Sequence, residues 1–358
     1  MSTAVDVPAR PVRKPTIDVA RGLGILLVVL GHNWLVNHAA GEVFRLIYSF
    51  HMALFFFLSG VFLRADAPFA RFCQDKASGL LKPYFVVLLF VLAAGIPQRL
   101  PLPEQWLGVL FATGQSIPWM PLWFLPHLFL ALVGARSILA LASGPRSIAV
   151  IGVLLLGVAA WWLPHAAELH WGQLEVRPGR RAELIGLPFS ADLLPATLPY
   201  VLAGCLMAPR VRELHPRCSW LVGSLALFVA LHAVFDESMN LNYRVYGQVF
   251  VSTIQAAAGI CLVLHTAGFV GRHPWVAAPL AYLGRNSLFI LIFHGVVQGS
   301  VTGRGQAWFP EVPALGALLG LAAGVVLPLA LYEVVRRIPV LSRLLLPASP
   351  VRSLQGAG

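Results

Sequence analysis

The sequence predicts an all-α fold, a polytopic transmembrane helix bundle of about ten spans. Three observations carry that expectation. Hydrophobic residues make up 58% of the chain and charged ones only 11%, and the mean hydropathy is +0.76, outside the range of soluble domains. The apolar residues fall in separate runs of roughly 17–25, each long enough to cross the ~30 Å hydrocarbon layer as a helix. Such runs use most of the 358 residues, so no separate extramembrane catalytic module is expected.

In chain order the expected spans are roughly 17–38, 44–63, 83–98, 122–142, 147–164, 192–208, 219–235, 246–268, 279–300 and 313–335. Residues 1–16 and 336–358 are then tails flanking a transmembrane domain over 17–335. Arg10, Arg13 and Lys14 precede the first run as in a leader peptide, but Asp18 and Arg21 interrupt it, and a retained first helix is expected. With the N-terminus in the cytoplasm, Arg64, Arg71, Lys76, Lys82, Arg146, Arg210, Arg212, Arg217, Arg272, Arg336, Arg337 and Arg343 share one side. By the positive-inside rule both termini are then cytoplasmic.

The net charge of +11 is spread between apolar runs and forms no single patch, so it reads as membrane orientation and not as nucleic-acid binding. Cys73, Cys205, Cys218 and Cys261 are far apart, without metal-ligand spacing, and no metal site is expected. The chain has no Walker loop, no G-x-S-x-G, no H-E-x-x-H and no dinucleotide fingerprint, which counts against ATP-driven transport and zinc hydrolysis.

Two segments between spans look more than connective. Residues 99–121 contain an amphipathic stretch from Glu104 to Thr113, suited to the membrane surface. Residues 165–191 are a charged, aromatic loop including His165, His170, Trp171, Glu175 and Arg181, open between a solvated connection and a polar ligand site.

The first span, TIDVARGLGILLVVLGHNW, places Arg21 and His32 eleven residues apart. On one helix that is about three turns, within ~20° of the same face and roughly 16 Å along the axis. Ionisable residues inside a span are costly and point to function by default. Asp18 can neutralise Arg21 from one turn away. An imidazole can accept a proton from a hydroxyl near neutral pH, so His32 is the candidate catalyst. Asn33 points about 100° away and is a candidate ligand contact.

The second span, YSFHMALFFFLSGVFLR, carries His51 and Ser59 eight residues apart. About 12 Å of rise separates them, too far for a direct dyad. Ser59 with Gly60 reads as a helix-packing site. His51 is open between a substrate contact and a structural hydrogen bond. The inner loop RADAPFARFCQDKASGLLKPY supplies Arg64, Arg71, Lys76 and Lys82, either a positive-inside loop or a phosphate-binding mouth. Farther on, Trp123, Phe124 and His127 stand at the head of the fourth span. Arg285 and His294 in YLGRNSLFILIFHGVVQ are nine residues apart and on one helix would face opposite ways.

Taken together, TIDVARGLGILLVVLGH, SFHMALFFFLSGVFL, the basic loop ending LLKPY, LWFLPHLFL and RNSLFILIFH resemble the acyltransferase-3 family of integral-membrane O-acyltransferases, and within it the fucose 4-O-acetylase-like, exopolysaccharide-modifying branch. The resemblance implies a multi-pass protein of the bacterial inner membrane. It would move acetyl from cytoplasmic acetyl-CoA, a donor substrate and not a bound cofactor, to a sugar hydroxyl of an exopolysaccharide, another envelope glycan or a lipid-linked precursor. Its partners would include envelope polysaccharide synthesis machinery. Carried over residue by residue, the catalytic pair falls on His32 and Arg21. Asp18, Asn33, His51, Trp123 and His294 are the acceptor-side candidates, and Arg64, Arg71, Lys76 and Lys82 the donor-side ones. The R-x-x-R of some members reads Lys76-x-x-Gly79 here. The competing reading is a transporter or flippase for a small anion or lipid-linked sugar, although the sequence shows no obvious pair of broken helices.

Overall fold

The computed structural model describes residues 15–64, 66–94, 102–177, 179–235 and 238–347; Arg10, Arg13 and Lys14 lie outside them. In chain order the helices are α1 (Thr16–Gly31), α2 (Trp34–Ala39), α3 (Gly41–Tyr48), α4 (His51–Val61), α5 (Phe69–Lys76), α6 (Lys82–Ala93), α7 (Leu102–Phe111), α8 (Phe124–Leu141) and α9 (Pro145–Ala167). After a β-hairpin, β1 (His170–Arg177) and β2 (Arg180–Ile185), come α10 (Leu194–Arg212), α11 (Cys218–Val234), α12 (Val249–Val270), α13 (Pro274–Arg285), α14 (Ser287–Trp308), α15 (Pro313–Val335) and α16 (Pro339–Leu345). Proline occupies the first turn of α9, α13, α15 and α16, where its missing N–H is no loss and its fixed φ is already helical.

The protein is an all-α helical bundle. Among the described residues seven helical stretches are long and apolar enough to cross a bilayer, eight if α13 and α14 count as one bent span. Helix α1 is central and packs against α4, α12, α13 and α14, while α4 lies along α10 and α14 along α15. Glycines permit the closest of these approaches. A Cβ at Gly22 or Gly284 would collide with backbone of the opposite helix in the α1/α13 pair, and one at Gly60 or Gly204 would do so between α4 and α10. The packing role read for Gly60 therefore has a backbone partner, the carbonyl of Val201.

Four expectations need correction. The first span is not one helix to residue 38, because α1 stops at Gly31. Asn33 adopts extended geometry and caps α2, its Oδ1 accepting from Leu35 N at 3.0 Å. Asn37 Nδ2 donates to the carbonyls of Gly31 (3.1 Å) and Asn33 (2.8 Å), and Asn33 Nδ2 donates to Ala317 O at 2.8 Å. The polar backbone exposed by the break is thereby satisfied inside the bundle.

The ninth span is likewise broken, bending by 79° between α13 and α14. Asn286 stands at the corner. Its Nδ2 donates to Tyr282 O at 2.9 Å, and its carbonyl accepts from Phe289 and Ile290 at 3.0 and 3.1 Å. Among the described residues the chain thus does have two broken helices, which a hydropathy window averages over because the residues on both sides of each corner are apolar.

The inner basic loop is mostly helix. Helix α5 passes through a π-helical turn, Ala77–Leu81, into α6, so one continuous stretch runs from Phe69 to Ala93. Finally, part of the 165–191 loop is the β-hairpin, whose register pairs Leu174 with Ala182 and Gln173 with Glu183. Its apolar face, with Leu174, Val176, Ala182 and Leu184, buries Phe111 of α7 in a small separate core. That packing holds the amphipathic helix α7 in place.

Candidate functional site

Two cavities lie in the path of α1. The larger, about 660 Å³, is lined by Arg21, Ser59, Lys76, Gly79, Arg285, Asn286, Ser287 and Tyr332 among others. Three cations from three helices converge on it. The Arg21 guanidinium stacks 4.6 Å from the Phe62 ring centre, and Lys76 Nζ lies 5.4 Å from that of Phe72. Arg285 lies 3.8 Å from the buried carboxylate of Asp18. The π-helical turn brings Gly79 and Leu80 to the wall beside Lys76, a common use of π geometry. The 79° corner delivers Arg285 to the same space.

The smaller cavity, about 60 Å³, is lined by His32, Tyr48, His51, Trp123, Asn242, Tyr243 and His294 among others, with space for a few water molecules. His32 and His294 meet ring edge to ring face at 5.0 Å between centroids, and Tyr48 lies 4.6 Å from His51 in the same fashion. Each histidine spends Nδ1 on backbone. His32 bonds Val28 O at 2.9 Å, His51 bonds Ile47 O at 2.9 Å, and His294 bonds Leu291 O at 2.8 Å. A carbonyl can only accept, so Nδ1 carries the proton and each neutral ring keeps a bare Nε2. His294 Nε2 is buried without a hydrogen-bond partner among the described residues.

Phe124 and Leu291 line both cavities. Arg21 and His32 therefore open onto two chambers with a shared apolar wall. The same division recurs across the α13/α14 corner, with Arg285 in the larger chamber and His294 in the smaller.

The other sequence candidates fall as follows. His51 and Trp123 line the histidine chamber and Lys76 the larger cleft. Asp18 is buried and faces Arg285. Asn33 is buried and holds the helix break with both ends of its amide. With its amide oxygen turned toward Asn33, Gln298 accepts from Asn33 Nδ2 at 2.9 Å and donates to Val29 O at 3.2 Å. Lys82 does not line the cleft; its Nζ donates to the carbonyls of Arg343 and Leu346, both at 2.7 Å, and so fastens α16 beside the opening. Arg64 and Arg71 are exposed and line neither cavity. His127 engages both ring nitrogens, with Thr197 Oγ1 at 3.0 Å and Phe189 O at 3.3 Å.

Sequence reasoning missed Arg285 as a cleft cation, Tyr48 and Tyr243 as chamber walls, and a buried ion pair between Asp192 and Arg244. Arg244 Nε donates to Asp192 Oδ2 at 3.0 Å and NH2 to Oδ1 at 3.2 Å. Asp192 Oδ1 also accepts from Leu187 N at 2.8 Å. The pair ties the end of the hairpin to the 238–246 segment that supplies Asn242 and Tyr243. Asp192 and Arg244 lie 52 residues apart in sequence, and no local pattern announces them. Arg285 stands beside Asn286 in the ninth span, and that polar pair was the one signal available.

Long apolar helices around a cationic cleft and a histidine chamber define a multi-pass helical membrane protein with an internal polar site. The model of the acyltransferase-3 family, an acyltransferase domain, matches residues 14–333. The chain belongs to that family and is a membrane acyltransferase. No curated protein and no solved structure matches it.

Proposed function

We propose that the chain is an O-acetyltransferase taking acetyl from cytoplasmic acetyl-CoA and placing it on a sugar hydroxyl of an exopolysaccharide, another envelope glycan or a lipid-linked precursor. The observation that carries this reading is the back-to-back arrangement of a cationic cleft and a histidine chamber across the Phe124 and Leu291 wall. Arg21, Lys76 and Arg285 suit the phosphates of coenzyme A, since paired cations recognise phosphate far better than a lone one. In this reading the cleft end faces the cytoplasm, and the shorter helices α1 (16 residues) and α11 (17 residues) are taken as spans beside the seven or eight candidates.

The gap of about 16 Å between Arg21 and His32 is a distance for the extended pantetheine arm. His32 Nε2 accepts the proton of the sugar hydroxyl while that oxygen attacks the thioester carbonyl. The C–S bond then breaks, and the departing thiolate takes that proton back from His32 to leave as free coenzyme A, which regenerates the neutral imidazole. The same bare Nε2 could instead carry the acetyl group between two transfers. Asp18 holds Arg285 in place, and His51, His294 and Trp123 frame the acceptor hydroxyl.

Purified protein given labelled acetyl-CoA and a glycan acceptor should transfer label, and His32→Ala should lower transfer by about a hundredfold or more; full activity in that variant would remove His32 from the mechanism. The two helix breaks are what a transport pathway would use. Uptake of an anion or lipid-linked sugar by vesicles without acyl turnover would favour that reading.

A further inference from the structure

A third cavity, about 950 Å³, lies away from both chambers, between α9, α10, α11 and α12. Its walls are mostly aliphatic along their length, and its ends differ. At one end stand Tyr200 and Thr253, hydrogen-bonded to each other and to Tyr246. At the other stand Arg210, Arg217, Trp220 and His265, with Glu213 as the one acid in the lining. The aliphatic walls come from α9, α10 and α12, with Phe57 of α4, while α11 contributes Trp220 at the cationic end.

Tyr200 to Arg210 on α10 and Thr253 to His265 on α12 are ten and twelve residues, or about 15–18 Å of helix. That is half of the ~30 Å hydrocarbon layer. The groove therefore spans one leaflet, with its cationic mouth at that leaflet's headgroups. Neither the Arg210 nor the Arg217 side chain has an ion-pair partner among the described residues. His265 Nδ1 accepts from Arg217 N at 3.2 Å, which leaves the Nε2–H as a donor. The Trp220 indole stacks parallel to His265, 6.3 Å between centroids, an aromatic at headgroup depth.

We infer that this groove is a binding site for one anionic phospholipid of the bilayer, its phosphate held by Arg210 and Arg217 and its acyl chains lying along α9, α10 and α12. The occupant is a lipid of one leaflet because the groove closes at Tyr200 and Thr253 after half the bilayer. It is anionic because the mouth carries more cation than acid. The inference needs the protein to lie in a membrane and does not rest on the acetyl-transfer chemistry.

Full-length protein reconstituted in nanodiscs of phosphatidylglycerol and phosphatidylcholine, extracted and weighed intact by native mass spectrometry, tests it. The wild type should retain one phosphatidylglycerol in preference to phosphatidylcholine. Arg210→Gln combined with Arg217→Gln should weaken that retention by about tenfold or more. Gly152→Phe should displace the lipid while leaving the arginines intact, because Gly152 lines the groove and a Cβ added there meets no atom within 4 Å. Arg146→Gln and Arg337→Gln, outside the groove's lining, should change nothing. Monodisperse wild-type-like elution of each variant separates lost binding from lost folding. Undiminished preference in both groove variants, retention without regard to headgroup, or replacement of the phospholipid by a polyprenyl phosphate would each overturn the inference.

Discussion

The rings of His32 and His294 meet at 5.0 Å with both Nδ1 protons committed to backbone carbonyls. Two bare Nε2 atoms therefore face one small space. If His32 is the base and His294 shapes the same pocket, the two act as a unit and their losses will not add. His32→Ala should lower kcat by about 10²–10⁴-fold. His294→Ala should lower it less, and the double variant should fall no further than His32→Ala alone. Steady-state transfer rates of the three proteins check this; additive losses would separate the two residues.

Arg285 is the cleft cation that follows from the α13/α14 corner. Charge-assisted contacts contribute roughly 1.5–3 kcal/mol each, so Arg285→Gln and Lys76→Gln should each raise KM for acetyl-CoA by about 10- to 100-fold with a smaller change in kcat. The effect should shrink with added salt. A truncated donor lacking the nucleotide phosphates should bind wild type and variants alike. An unchanged KM would place the donor elsewhere.

The close α1/α13 and α4/α10 contacts give a stability test independent of chemistry. Gly204→Ala puts a methyl into the Phe57 carbonyl and Gly22→Ala puts one into that of Leu280. Overpacking of this kind costs about 1–3 kcal/mol. Thermal unfolding in detergent should show a clear drop in Tm for both. Gly157→Ala, with open space around it, should leave Tm unchanged or slightly higher.

How far the sequence carried these conclusions differs from residue to residue. Span α15 was legible to the residue, Pro313–Val335, because Pro313 opens an almost wholly apolar run, interrupted only by Glu333 near its end. The breaks at Asn33 and Asn286 were not. Each depends on side-chain amides binding particular carbonyls, one of them Ala317, 284 positions away, and a hydropathy window averages such contacts out. Residues 69–81 read as a loop because Arg71, Gln74, Asp75 and Lys76 lower the local hydropathy. They form helix because Phe72 and Leu80 find a core to bury in. The Arg21 and His32 pair was legible from cost alone. Its split between two chambers was not, since Phe124 and Leu291 reach that wall from other helices.

The Asp192 and Arg244 pair makes a further prediction. Removing one partner of a buried, hydrogen-bonded ion pair leaves the other charge uncompensated, at a cost of about 3–5 kcal/mol. Asp192→Asn or Arg244→Met should therefore lower Tm sharply. Because the pair also ties down the 238–246 segment, KM for the acceptor should rise more than KM for the donor. The double variant should be less unstable than the sum of the two single ones, as expected for direct partners. Equal shifts in both KM values would mean that the pair only holds the fold.

In the proposed reaction, with the donor on the Arg21 side and the base at His32, the acetyl group has to cross the wall between the chambers. Phe124 heads α8 and Leu291 lies on α14 just beyond the corner, so one displacement of α8 against α14 would join the two spaces. A thioester held on the Arg21 side is shielded from water on the His32 side while the wall stands. Thinning it should uncouple the reaction. Phe124→Leu, chosen because alanine at a buried phenylalanine costs about 3–5 kcal/mol in stability, should raise release of free coenzyme A without acceptor relative to transfer with acceptor. Leu291→Val should do the same more weakly. A ratio of hydrolysis to transfer that stays at the wild-type value in both variants, with folding intact, would mean that acetyl reaches His32 by a route that does not pass between Phe124 and Leu291.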